Sequence, residues 1–108
     1  MSFLKSVDDV KERLKNLDTH HLDEHIALEV RLDGADEGTF YIELDKEKIN
    51  IEPYEYKDND AVIKAKSNIL MRFISKKLDI ENALVKNTLK IDGDINKVFR
   101  FYKLIKNK

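Results

Sequence analysis

Three histidines fall within the seven residues Thr19-His20-His21-Leu22-Asp23-Glu24-His25. His21 and His25 have the i, i+4 spacing that on a helix could hold zinc, with Asp23 or Glu24 nearby. Yet the segment joins an apolar-periodic stretch to an alternating one, and no further ligand cluster completes a tetrahedral set. These are expected to be surface histidines. Carboxylates gather in "DNDA" (residues 58–61) and "DGADEG" (residues 33–38). Neither follows the ligand spacing of a calcium loop, and both have the composition of turns. Ser2, Ser6, Ser67 and Ser75 lack a glycine elbow, and the chain has neither a dinucleotide-binding nor a phosphate-binding glycine loop. There is no cysteine, which excludes a thiol nucleophile, a disulfide framework and a thiolate zinc site. The expectation is a protein with no catalytic residue, no metal and no cofactor, and hence not an enzyme.

What must be positioned is therefore apolar surface, and the composition says how much. With 108 residues, 42% hydrophobic and 38% charged, the chain is expected to form one domain over residues 1–108 with one core. No apolar run approaches the roughly 20 residues that span a bilayer, and the opening MSFLKSVDDV is too acidic for a secretory signal. A cytoplasmic location is expected. Net charge is −1, but the signs are segregated. Residues 18–60 carry 14 Asp and Glu against 4 Lys and Arg, whereas residues 86–108 carry 7 Lys and Arg against 2 Asp. The basic end lacks the glycine-aromatic or helix-turn-helix punctuation of nucleic-acid readers, so no nucleic-acid partner is expected.

Along the chain, Ser6 with Asp9 resembles a capping box, and Val7, Val10, Leu14 and Leu17 recur at helical spacing, predicting a helix that ends near Leu17. The period then becomes two. Ile26, Leu28, Val30 and Leu32 predict a half-buried strand, and Phe40, Ile42 and Leu44 its hairpin partner across the turn at residues 33–38. Ile49 and Ile51 predict a short third strand ended by Pro53, an edge residue. Ala61 to Ala65 predicts a fourth strand, and Ser67 a helix cap before Ile69, Leu70, Phe73 and Ile74. A short helix over Ile80 to Lys86 offers Ala83 and Leu84, with Asn87 at a left-handed stop. "NTLKIDGD" (residues 87–94) predicts a fifth strand, a glycine turn and Asp94 capping a last helix. The order predicts an α+β domain: a helix, a meander of three or four strands, a helix pair, one strand and a final helix, with helices packed on one sheet face.

In this order and spacing the chain resembles the sterol carrier protein type 2 domain. The resemblance is carried by "DEGTFYIEL" (residues 36–44), "DAVIKAKSNILMRFISKKLDIENALVKN" (60–87) and "LKIDGD" (89–94), and it covers nearly the whole chain. Asn87 stands where that family usually has glycine. The resemblance implies a five-stranded, mostly antiparallel sheet covered on one face by helices, with an apolar tunnel between the layers. It further implies non-enzymatic binding of a fatty acid, acyl-CoA, phospholipid or sterol-like ligand, by a module that is free-standing or attached to an enzyme.

The last helix is unusually apolar. Ile95, Val98, Phe99, Tyr102 and Ile105 share one face, while Phe101 and Leu104 widen the stripe beyond what docking on a sheet requires. Surplus apolar surface is accounted for by an ordinary wide core, a lipid or a dimer partner; with the resemblance, lipid contact is favoured. The nominated tunnel-lining residues are Phe40, Ile42 and Leu44 from the sheet, with Phe73, Ile74, Leu84, Phe99, Tyr102 and Ile105 from the helices. Lys97, Arg100, Lys103 and Lys106 are nominated for an anionic head group or transient contact with an anionic membrane. The competing function is an interaction domain that closes a homodimer through the last helix, or an accessory domain, of the same fold without a ligand tunnel.

Overall fold

The structure, a computed structural model, describes residues 2–105. Helix α1 (Phe3–Leu14) is capped by the Ser2 hydroxyl, which accepts from the Lys5 amide at 3.1 Å. Ser6, expected as the cap, lies one turn inside the helix and is buried beside Val7, Val10 and Leu14. An earlier cap is available because Ser2 is extended while Ser6 already donates its amide to the Ser2 carbonyl. The helix ends at Leu14, short of the expected Leu17, which is half-buried.

Strands β1 (Ile26–Asp33), β2 (Gly38–Leu44), β3 (Ile49–Glu52), β4 (Ala61–Lys66) and β5 (Lys90–Gly93) form one sheet in the order β3-β2-β1-β4-β5. Three pairings are antiparallel and one, β1 with β4, is parallel. The meander therefore stops at β3. Pro53 ends that edge strand, and residues 53–60 return the chain to the far side of β1. The hairpin registers set Ile26 opposite Leu44, Leu28 opposite Ile42 and Val30 opposite Phe40. Leu28, Val30 and Leu32 likewise pair with Ala61, Ile63 and Ala65, so a single period-two row spans the sheet.

Helices α2 (Ser67–Ile74), α3 (Ile80–Val85) and α4 (Ile95–Leu104) join α1 on this apolar face. The core cluster unites the inner strand row with Leu70, Phe73 and Ile74 of α2, Ala83 of α3, Leu89, and Val98 and Phe101 of α4 followed by Ile105. The Ser67 hydroxyl does not cap α2. It donates to the Asp36 carboxylate at 2.9 Å, and the N-cap is Lys66 without a side-chain bond. Asn87 has φ +59°, the left-handed stop expected of it, and the Asp79 and Asp94 side chains cap α3 and α4.

The opposite sheet face is not an open polar surface. In β1 both Ala27 and Glu29 are buried, Glu29 to 3% exposure, so the strand is enclosed on both sides through its first half rather than half-buried. The 53–60 segment lies against this face: Tyr56 donates its amide to Glu29, and its ring meets Tyr41 edge-on at 5.1 Å. Arg31 Nε donates to the second Glu29 oxygen at 2.7 Å, so the buried carboxylate has partners at both oxygens.

Candidate functional site

The inner layer holds most of the nominated tunnel residues. Phe40, Ile42 and Leu44 of β2, and Phe73 and Ile74 of α2, lie fully buried between sheet and helices. Leu84 is half-buried on α3. The Phe73 and Tyr102 rings stand 5.1 Å apart, and the Lys76 ammonium sits 4.7 Å from the Tyr102 ring centroid. Such a cation over a ring face is favourable.

The last helix buries a different line from the expected one. Val98, Phe101 and Ile105 face the core, with Tyr102 and Leu104 packed at its margin. Phe99 is half-buried and Ile95 is 40% exposed. Because Val98, Phe101 and Ile105 follow i, i+3, i+7 spacing, they face the sheet together and Phe99 is carried to the flank. The surplus apolar surface of α4 is therefore Ile95 and Phe99 rather than Phe101.

A groove of about 440 Å³ runs between the C-terminal turn of α1 and β3. Leu14, Leu17, Ile49 and Ile51 supply apolar lining, and all four belong to or pack against the core cluster. Lys11, Lys15 and Lys48 line it with Glu47 and Glu52. Lys15 is held by Glu12 at 2.6 Å, so Lys11 and Lys48 carry the remaining positive charge. Its volume falls within the roughly 300–1,000 Å³ typical of ligand sites. None of the lining residues was nominated from sequence. The available signal was Leu17, an apolar residue one turn beyond the helix, with Lys11 and Lys15 at i, i+4 beside Leu14.

The four nominated cations are placed differently. Lys97 is bound inside the molecule: its ammonium meets Asp60 Oδ1 at 3.1 Å, donates to the His25 carbonyl at 3.1 Å, and lies 3.9 Å from Glu24. Arg100 forms an ion pair with Glu24. Lys103 is exposed on α4, and Lys106 lies outside the described residues. Asp60 is the centre of this arrangement. Its other carboxylate oxygen accepts from the Ala27 amide at 2.8 Å, its own amide donates to the Ala27 carbonyl, and its carbonyl accepts from the Asp94 amide. The "DGD" turn delivers Asp94 there because Gly93, at φ +99°, passes close to Asp60. A Cβ at residue 93 would lie 2.6 Å from the Asp60 carbonyl oxygen.

On the outer sheet face, which residues 53–60 cover as a strap, His25 Nε2 lies 2.7 Å from Glu43 Oε2, and the Tyr56 hydroxyl donates to the same oxygen at 2.9 Å. The hydrogen bond from His25, followed by that from Tyr56, holds the Glu43 carboxyl below its ordinary range despite opposing desolvation. The same bond raises the Tyr56 phenol, while burial is the largest cause of the rise at Tyr41. His20 and His21 are exposed and pack ring against ring at 5.2 Å. Among the described residues no cluster of three or more His, Asp or Glu side chains is arranged to hold a metal. Among these residues, no helix is long and apolar enough to cross a membrane.

The fold is shared with solved structures of low sequence identity. The sterol carrier protein-2 from Aedes aegypti in complex with C16 fatty acid (palmitate) is 14% identical, with TM-score 0.66 and coverage of 96% of each chain. A UbiJ-SCP2 ubiquinone synthesis protein is 14% identical, with TM-score 0.76 over 94% of each chain. The inverting sec-alkylsulfatase Pisa1 from Pseudomonas sp. is 20% identical, with TM-score 0.70 over 78% of this chain. This chain spans only 13% of that sulfatase. Among curated proteins no sequence matches. The model of the SCP-2 sterol transfer family matches residues 3–106, and the chain belongs to that family.

Proposed function

We propose that this protein is a non-enzymatic cytoplasmic lipid carrier that takes the acyl chain of a fatty acid or a related anionic lipid between its sheet and its helices. The observation that carries the proposal is the α1–β3 groove, whose apolar lining is continuous with the core layer while lysines stand among its lining residues. An amphiphile with a negative head fits that division: apolar burial contributes about 0.8 kcal/mol per methylene, and Lys11 and Lys48 face the head group. Phe40, Ile42, Leu44, Phe73, Ile74, Leu84, Tyr102 and Ile105 form the layer that a longer chain enters, with Phe99 at the flank. A relative of the same fold holding palmitate supports the choice of ligand class.

The test is native mass spectrometry of the protein with added palmitate, beside Ile49→Trp, which fills the groove from a half-buried position. One palmitate per wild-type chain, lost in Ile49→Trp, is expected. Equal occupancy in both would remove the groove as the route. A protein that takes up no palmitate and runs as a dimer would replace the carrier by an interaction domain.

A further inference from the structure

Helix α4 contains Lys97, Arg100 and Lys103 and no acidic residue. Its countercharges come from elsewhere in the chain: Glu24, just before β1, and Asp60, just before β4. The Lys97 side chain is 25% exposed, with Asp60 and Glu24 similarly sheltered, whereas Arg100 is 53% exposed. These are borrowed anions, and an outside surface of negative charge competes for the same two cations. The apolar side of α4 is equally suited to leaving. Ile95 already reaches solvent, Phe99 is half-buried, and the buried Val98 and Phe101 would follow them if the helix swung about the Gly93–Asp94 turn. A cationic face opposed to an aromatic and aliphatic one is the composition of helices that lie in a membrane interface.

We infer that the Glu24–Lys97–Asp60 and Glu24–Arg100 ion pairs form a latch that an anionic bilayer opens, so that α4 turns its apolar side to the lipid surface. This rests on the carrier function proposed above and gives it a docking element. Lys97 and Arg100 exchange their carboxylates for lipid head groups, and Lys103 adds a charge that needs no release. Detachment of α4 uncovers the layer at Phe73, whose ring lies 5.1 Å from that of Tyr102, on the β1–β4 side of the sheet.

The test uses two readouts in the full chain. Because the protein has no cysteine, Val98→Cys provides a sole thiol, placed on the buried side of α4. Without vesicles, both Lys97→Met and Glu24→Gln loosen the latch, and each is expected to speed modification of that thiol about threefold, the scale of one partly exposed ion pair. Flotation with phosphatidylglycerol vesicles separates them. Glu24→Gln is expected to raise partition about fivefold, one charge's worth, and Lys97→Met to lower it by a similar factor. Arg100→Gln, at a more exposed position, is the milder partner should Lys97→Met fail to fold.

The inference is overturned if Glu24→Gln does not raise partition, or raises it equally on phosphatidylcholine vesicles. It is also overturned if inorganic phosphate at equal ionic strength speeds thiol modification as much as anionic vesicles do. Partition requires no bound cargo, so a chain that floats as expected yet takes up no palmitate keeps the latch and loses the carrier function.

Discussion

Gly93→Ala probes the point where β5, β4 and the entry to α4 meet. Two effects add. At φ +99° any L-residue bears about 1–2 kcal/mol of backbone strain. The new Cβ would also lie 2.6 Å from the Asp60 carbonyl oxygen and 2.9 Å from Ala61 Cα, both backbone atoms that no side-chain rotation removes. Relieving such overpacking costs about 1–3 kcal/mol more. The total is about 2–5 kcal/mol, a large share of a small domain's stability. Gly34→Ala is the internal control, since φ there is +86° but the nearest atom to the added Cβ is Lys66 Cγ at 3.8 Å. It should lose only the backbone part. At about 4–8 °C per kcal/mol, Gly93→Ala is expected to melt at least about 8 °C below wild type, and Gly34→Ala to melt between the two. Thermal and urea melts followed by far-ultraviolet circular dichroism measure both. Equal losses in the two variants would show that β5 moves freely away from Asp60, and would refute the tight apposition on which the Asp60 arrangement depends.

Three further outcomes are expected. Phe101→Ala, which empties a fully buried aromatic site on α4, should lose about 3–5 kcal/mol in urea titrations; a loss below about 1 kcal/mol would place Phe101 outside the core. Glu43 in the folded protein sits below its ordinary value of 4.5, chiefly through the His25 hydrogen bond, so its contribution is full above that value and disappears as pH falls through the folded pKa. Glu43→Gln should accordingly lose less stability than wild type between about pH 6 and pH 3, and parallel losses would sink that assignment. Finally, binding of a saturated fatty-acid series should tighten about fourfold per added methylene and then level off when the site is full. An affinity independent of chain length would mean that only the head group is recognised.

Much of the fold is legible in the residues because its signals are local. The period-two rows at Ile26–Leu32 and Phe40–Leu44 need no partner to be recognised, and Pro53, Asn87 and Asp94 act through their own backbone chemistry. The caps differ from those expected at Ser6 and Ser67 for two reasons: a second hydroxyl lies one turn before Ser6, and a distant carboxylate draws Ser67 away from its own helix. Ser2 takes the first, and Asp36, 31 positions away, engages Ser67. The burial of Glu29 was invisible because the strap that covers it is joined to β1 through neither period nor spacing.

By itself the sequence determined the element order and the apolar row of the sheet, since side-chain periodicity is a property of a single segment, but not which apolar residues of α4 are buried. It also held the separation of charge, acidic before residue 60 and basic after residue 86. Only the tertiary structure decided what those charges meet. Glu24, Asp60 and Lys97 come together because parallel pairing of β1 with β4 puts both strand starts at the end of the sheet where α4 begins. The α1–β3 groove has the same origin, in the packing of segments more than 30 residues apart. Contacts between distant segments depend on sheet order and helix placement, and these are settled by how the whole apolar surface is buried at once.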